Sequence, residues 1–229
     1  SRIVARVFAA AKAKDSRTVT HCDAVQGFMK VPFTPAGLHA DLVTLSAHKI
    51  HGPKGVGALY IHPDILKTRR LVAHIPGGGQ ETGLRSGTEN VIGICGFGAA
   101  AVAAQASRTT DIAHMTALRD ALTERLTSMG LRVNRPALPA PHIVNFTLPD
   151  IKSQTMLNFL SAKGICVSSG SACSSHATHT SPSLAAFGLS AHEADCSLRV
   201  SLSAANTPAD IDRLTNALSE GVSRLVRIK

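Results

Sequence analysis

The chain has 229 residues, with 24 Lys+Arg against 15 Asp+Glu for a net charge of +9, and 44% of it is hydrophobic. That apolar share excludes a disordered tail, and the length suffices for one large core or two small ones without disulfides. Seven Phe, one Tyr, no Trp and no long basic run leave little surface for stacking on nucleic acid, so the charge reads as that of a basic soluble enzyme.

Ile3, Val4, Val7, Phe8 and Ala11 recur at helical spacing, which predicts an amphipathic helix over residues 2–14. Ser1 therefore opens a charged amphipathic stretch, and no signal peptide is expected. Thr18–Cys22, Leu42–Leu45 and Val56–Ile61 are β-branched or apolar runs bounded by polar or Gly/Pro clusters, so they read as strands. Residues 71–88 form a long Gly-rich loop, of the kind that is often functional. A Gly/Ala-rich helix is expected over 89–107, its small residues suited to close packing, and a second over 109–129 with Gly130 closing it. The stretch 91–106 is too short and too rich in Gly and Ala for a membrane span. Beyond the prolines at 136, 139 and 141, a strand at 142–148, a helix at 153–163 and short strands at 165–168 and 198–202 follow. Thr207-Pro208-Ala209-Asp210 is a helix start, and Ile211, Leu214, Leu218, Val222 and Leu225 line one face of the last helix.

Three places carry reactive chemistry. Lys49 follows Ser46-Ala47-His48 at a strand end, where a lysine can be desolvated and hydroxyl and imidazole donors suit a phosphate. Asp23 ends the earlier strand with Gln26 three residues on, and a carboxylate there can pair with a pyridinium nitrogen. Cys173 lies in SSGSACSS, a polar loop that gives a thiol access. Taken singly, each also fits a plain role: Lys49 an exposed loop lysine, Asp23 a cap on the next turn. The other cysteines, 22, 95, 166 and 196, sit in apolar contexts and read as small buried hydrophobes. An odd count of five Cys, none in a CxxC, favours free thiols in a reducing compartment, expected to be cytoplasmic.

Together these segments resemble a known family. SAHKIHGPKGVGALY is similar to the cofactor-lysine segment of the NifS/IscS-type cysteine desulfurases, which use pyridoxal 5'-phosphate (PLP) on a class V aminotransferase fold. HCDAVQ resembles their Asp/Gln strand, PGGGQETGLRSGTEN their glycine-rich loop and SSGSACSS their cysteine loop, in the family's order. The resemblance implies an α/β chain: part of a PLP fold type I large domain with a mixed sheet over residues 1–104, then a C-terminal α+β small domain over 105–229. It implies that Lys49 holds PLP covalently and moves protons, Asp23 keeps the pyridine nitrogen protonated, and Gln26 reaches the phenolic oxygen. Ser46 and His48 would bind the phosphate with Thr88 from the second subunit of a homodimer, and Arg199 the carboxylate of L-cysteine. Cys173 would take the sulfur, giving L-alanine and a persulfide for an iron–sulfur scaffold or another sulfur acceptor, as in tRNA thiolation. The fifteen-residue step from Cys173 to Gly188 resembles the family's long-loop branch.

The chain departs from the family in two respects. The family's N-terminal part has no counterpart, including a Thr-bearing phosphate turn, a His that stacks on the ring and an Asn by the phenolic oxygen. A fragment of a longer protein is expected; the alternatives are half of a split enzyme completed by a separate N-terminal chain, or a truncated product. Cys173, His176 and His179 also have a spacing that suits a metal, but two exposed polar residues are the simpler reading, and no resident metal is expected. Cys173 as a transient iron–sulfur ligand stays open. The rival functions are a selenocysteine lyase or other class V PLP enzyme, a non-catalytic module that only binds a partner, and, on charge alone, nucleic-acid binding.

Overall fold

The structure is a computed structural model that describes residues 2–169 and 181–225. The chain divides into two compact units, residues 1–108 and 109–229.

The first unit opens with helix α1 (Arg2–Lys14), then strand β1 (His21–Asp23), a short helix α2 (Pro35–Leu38) and strand β2 (Leu42–Ser46). A 3-10 turn, Ala47–Ile50, follows at once, and then β3 (Gly57–Ile61) and α3 (Pro63–Lys67). The three strands form one sheet in the order β1-β2-β3. β1 runs parallel to β2 with Cys22 beside Val43, and β2 pairs antiparallel with β3, Thr44 beside Leu59. The sequence places β1 at residues 18–22, but the ladder starts later because Thr20 is engaged elsewhere. Its backbone N–H (2.8 Å) and hydroxyl (3.0 Å) both donate to Asp41 Oδ2. Lys12 donates to the same carboxylate at 2.7 and 2.9 Å, so one buried acid joins α1 to the start of both strands.

The Gly-rich stretch 71–88 is largely irregular, with a 3-10 turn at Gln80–Gly83 and a bridge between Ile75 and Arg85. Helix α4 then runs unbroken over Val91–Ser128, where the sequence suggests two helices. Residues 105–111 are mostly polar and interrupt the apolar pattern, yet none is Gly or Pro, so the backbone bonds continue. Gly130, with φ 74°, ends α4 as expected, and Leu131 N–H donates to Leu126 O across it.

The second unit adds β4 (Arg132–Val133), β5 (Ile143–Thr147), α5 (Ser153–Ala162), β6 (Ser168–Ser169), α6 (Pro182–Ala186), α7 (Ala191–Asp195), β7 (Ser197–Ser201) and α8 (Pro208–Arg224). Its antiparallel sheet has the order β4-β5-β7-β6. Val144, Phe146, Leu198 and Val200 project to one face and are buried with Leu122, Leu126, Met156, Leu160 and Leu218. The expected cap of α8 forms a reciprocal box: Thr207 N–H donates to Asp210 Oδ2 (2.8 Å) and Asp210 N–H to Thr207 Oγ1 (3.4 Å).

The two units differ in how much they bury. The second has a continuous core, whereas the first buries Ala24, Leu38, Ala40 and Val43, backed by partly covered Val4, Phe8 and Leu45. Residues 57–60 of β3 are all exposed, and Ile92 and Val102 of α4 are 88% and 73% exposed. Contrary to the expectation for this region, α4 is the one described helix long and apolar enough, by length and composition, to cross a membrane.

Asp41 carries a testable consequence. Burial raises its pKa, but the Lys12 ammonium and the two Thr20 donors outweigh that and hold it below the ordinary 3.8. Its contribution is therefore full above that ordinary value and lost as pH falls through the lower folded value. Asp41→Asn is expected to destabilise the chain by about 1–3 kcal/mol at neutral pH, with the difference from wild type shrinking in acid, read by urea titration.

Candidate functional site

The parallel pairing of β1 and β2 brings two predicted groups to one sheet end. Asp23 is the last residue of β1 and lies beside Thr44, so Ser46 and the turn carrying His48 and Lys49 follow just beyond it. In sheets with parallel strands this carboxyl end is where ligands bind. Asp23 is exposed, and its Oδ1 accepts from Val25 N–H at 3.0 Å. That bond is the turn-capping role the sequence allowed, and it leaves Oδ2 available. Gln26 is exposed in the same turn.

Ser46 Oγ and His48 Nδ1 are hydrogen-bonded at 2.7 Å. When the hydroxyl donates, the imidazole proton sits on Nε2, and the pair offers an N–H outward from an exposed ring. Lys49 is half-buried, and among the described residues no carboxylate lies within ion-pair distance of its amine. A lysine held that way is available to a carbonyl carbon.

The Lys49 turn is braced from two sides. A Cβ on Gly52 would lie 3.0 Å from Ala47 Cβ and 3.2 Å from Ala100 Cβ, and one on Gly96 would lie 2.6 Å from Pro53 Cγ. The small residues of α4 thus serve the close approach the sequence suggested. Phe28 meets Phe97 edge to face at 6.2 Å. On the open side Lys30 Nζ donates to Lys49 O at 2.9 Å. The sequence reading passed over Lys30; its one signal is a lone charge in the apolar turn GFMKV.

Thr88 stands exposed ahead of α4, where the resemblance assigns it to a second copy's site. Arg199 lies in the second unit at the centre of β7, between Asn145 of β5 and Ser168 of β6. Its Nε is buried and has no hydrogen-bond partner among the described residues, the state of a donor kept for an anion. Cys173, His176 and His179 lie outside the described residues.

Of the four cysteines read as buried, Cys196 is buried and Cys22 half-buried, and burial pushes both thiols up. Cys95 and Cys166 are exposed, a correction to the sequence reading. An apolar neighbourhood in sequence did not reveal which side of α4 carries Cys95, nor that Cys166 sits in the connection from α5 to β6. No group of three metal-ligating side chains occurs among the described residues.

Residues 4–214 match the Aminotransferase class-V family. The chain belongs to that family. Among its relatives, Cysteine desulfurase IscS of Anaeromyxobacter dehalogenans is 39% identical over 217 residues, which is 93% of this chain and 52% of the relative. Cysteine desulfurase 2 of Trichormus variabilis is 40% identical over 217 residues, covering 93% and 53%. A solved NifS-like protein superposes with a TM-score of 0.85 at 35% identity, covering 97% of this chain and 57% of the other. A NifS-like protein from Rickettsia africae gives 0.83 at 30% identity, with 97% and 57% covered. The α/β fold is thus that of the NifS-like class-V proteins, and the chain spans about half the length of the relatives it matches.

The brace on the Lys49 turn yields a prediction. Gly96→Ala normally strengthens a helix by about 1 kcal/mol. Here the new methyl meets the rigid Pro53 ring, so a lower urea midpoint than wild type is expected, with faster amide exchange at residues 50–54.

Proposed function

We propose that this class-V chain carries the cofactor lysine and the sulfur-accepting cysteine of a PLP-dependent cysteine desulfurase. The carrying observation is the sheet end that brings Asp23 to the same edge as Ser46, His48 and a Lys49 amine without an ion-pair partner among the described residues. The donor set fits the cofactor: an amine for its aldehyde, a carboxylate for its pyridine nitrogen, and hydroxyl and imidazole donors for its phosphate. The names of the relatives support the choice of reaction.

When bound, PLP supplies an electrophilic aldehyde and a ring that accepts electrons from the substrate. Lys49 Nζ would hold it and move protons to and from the substrate's carbon atoms. Asp23 would keep the pyridine nitrogen protonated, and Gln26 would donate to the phenolic oxygen. Ser46 Oγ and His48 Nε2 would donate to the phosphate, with Thr88 contributed by the second copy of a homodimer. Arg199 would bind the L-cysteine carboxylate through its guanidinium, whose Nε has no hydrogen-bond partner among the described residues. The Cys173 thiolate would attack the substrate sulfur. A new S–S bond forms as the substrate C–S bond breaks, leaving a persulfide and, after proton return, L-alanine. An iron–sulfur scaffold or another acceptor would then take the sulfur.

A second reading has one observation in its favour. The exposed apolar residues of β3 and α4 leave the first unit's surface uncovered, as in a chain that acts only as a partner-binding module. In the desulfurase reading, that surface is covered by the part of the family fold this chain does not match, on the same polypeptide or a second one.

Reconstitution with PLP and L-cysteine separates the two. The desulfurase reading expects a coloured protein that releases alanine. Lys49→Ala should lose the colour, and Cys173→Ala should keep it while abolishing sulfur transfer. Arg199→Ala should raise KM for cysteine at least about tenfold. Unchanged turnover in Cys173→Ala overturns the assigned nucleophile, and a colourless protein that still binds its complement supports the module.

A further inference from the structure

Lys30 is half-buried at the end of the turn after β1, which Met29 bends through a left-handed φ of 62°. No carboxylate among the described residues pairs with it, and its hydrogen bond goes to Lys49 O at 2.9 Å. That carbonyl belongs to the end of a 3-10 turn whose next residue, His51, is forced to a left-handed φ of 66°. Carbonyls at such an end lack partners within their own turn, and a nearby side-chain donor satisfies one.

The position is costly in isolation. Burial pushes the Lys30 ammonium's pKa down, and the neighbouring Lys49 charge adds to that. A half-buried cation set beside a second cation is not what stability alone would choose, since a neutral donor would cap the turn without repulsion. Resting on the reading of Lys49 as the cofactor-bearing lysine, we propose that Lys30 is a positioning residue: its amine pins the carbonyl of Lys49 and fixes the turn that presents the Lys49 side chain.

The test compares the wild-type chain with Lys30→Met, which removes the donor, and Lys30→Arg, which keeps a charged one. Amide exchange over residues 47–52 and acetylation of Lys49 by acetic anhydride are followed by mass spectrometry, with Lys54 and Lys67 as internal references. Loss of a charge-assisted bond is expected to speed exchange in the turn about tenfold in Lys30→Met and to change the Lys49 acylation rate, with the references unmoved. Lys30→Arg should restore both. After PLP and borohydride, Lys30→Met should carry less cofactor on Lys49 than wild type. Unchanged exchange and acylation in Lys30→Met overturns the proposal, as does a change spread evenly over residues 2–108. Absence of any borohydride-fixed cofactor on wild-type Lys49 overturns the reading of Lys49 instead, and the exchange and acylation arms still decide whether Lys30 holds the turn.

Discussion

Two strands of three and five residues run side by side in the same direction, and the candidate site follows from that pairing. Because β1 and β2 are parallel, their carboxyl ends coincide. An acid that ends one and a hydroxyl–imidazole–amine series that ends the other are delivered to one edge without either side chain reaching far. An antiparallel pairing of the same strands would send Asp23 and Lys49 to opposite ends. The parallel arrangement requires a crossover, supplied here by residues 24–41 and the small core of Ala24, Leu38, Ala40 and Val43. Asp41 closes that crossover by binding Lys12 and Thr20 at once.

The edge also sets the surroundings of Lys49. Lys49 sits on a turn rather than a strand, so its position depends on what holds the turn. The small residues of α4 let Gly52 and Pro53 approach closely, and the Lys30 ammonium takes the turn's free carbonyl. A larger residue at Gly96 or a neutral apolar one at Lys30 would leave every proposed cofactor contact in the sequence while loosening the geometry that gives those contacts meaning.

Hydrophobic burial divides the chain unevenly. The second unit covers one face of its sheet with α5, α8 and the C-terminal part of α4, and its polar face is organised by a chain of hydrogen bonds. Asn134 donates to Asn145 and Thr147, and the Thr147 hydroxyl meets that of Ser197. Arg199 shares that register, with a buried Nε that has no hydrogen-bond partner among the described residues. The first unit instead leaves β3 and much of α4 uncovered. Apolar surface of this extent is normally covered by protein.

Local chemistry made several elements readable in advance. Helix α1 follows from apolar residues spaced three and four apart, α8 from a Thr-Pro-x-Asp start, and the end of α4 from Gly130, because each signal acts within a few residues of itself. The motif order around Asp23, Lys49 and Cys173 likewise pointed to the family. Other features depend on residues far apart in the chain. That α4 is continuous was hidden because polar residues at 105–111 interrupt its apolar pattern while leaving the backbone unbroken. Cys95 and Cys166 looked buried because apolar neighbours in sequence do not say which side faces a partner. Lys30 looked like any turn lysine until folding placed Lys49 O, nineteen residues on, within hydrogen-bond distance. The sequence by itself determined which groups are present and which short segments carry them, since propensity and capping are local. Only the tertiary structure decided which of those groups meet and which surfaces stay open, since strand pairing and burial join residues that no short window contains.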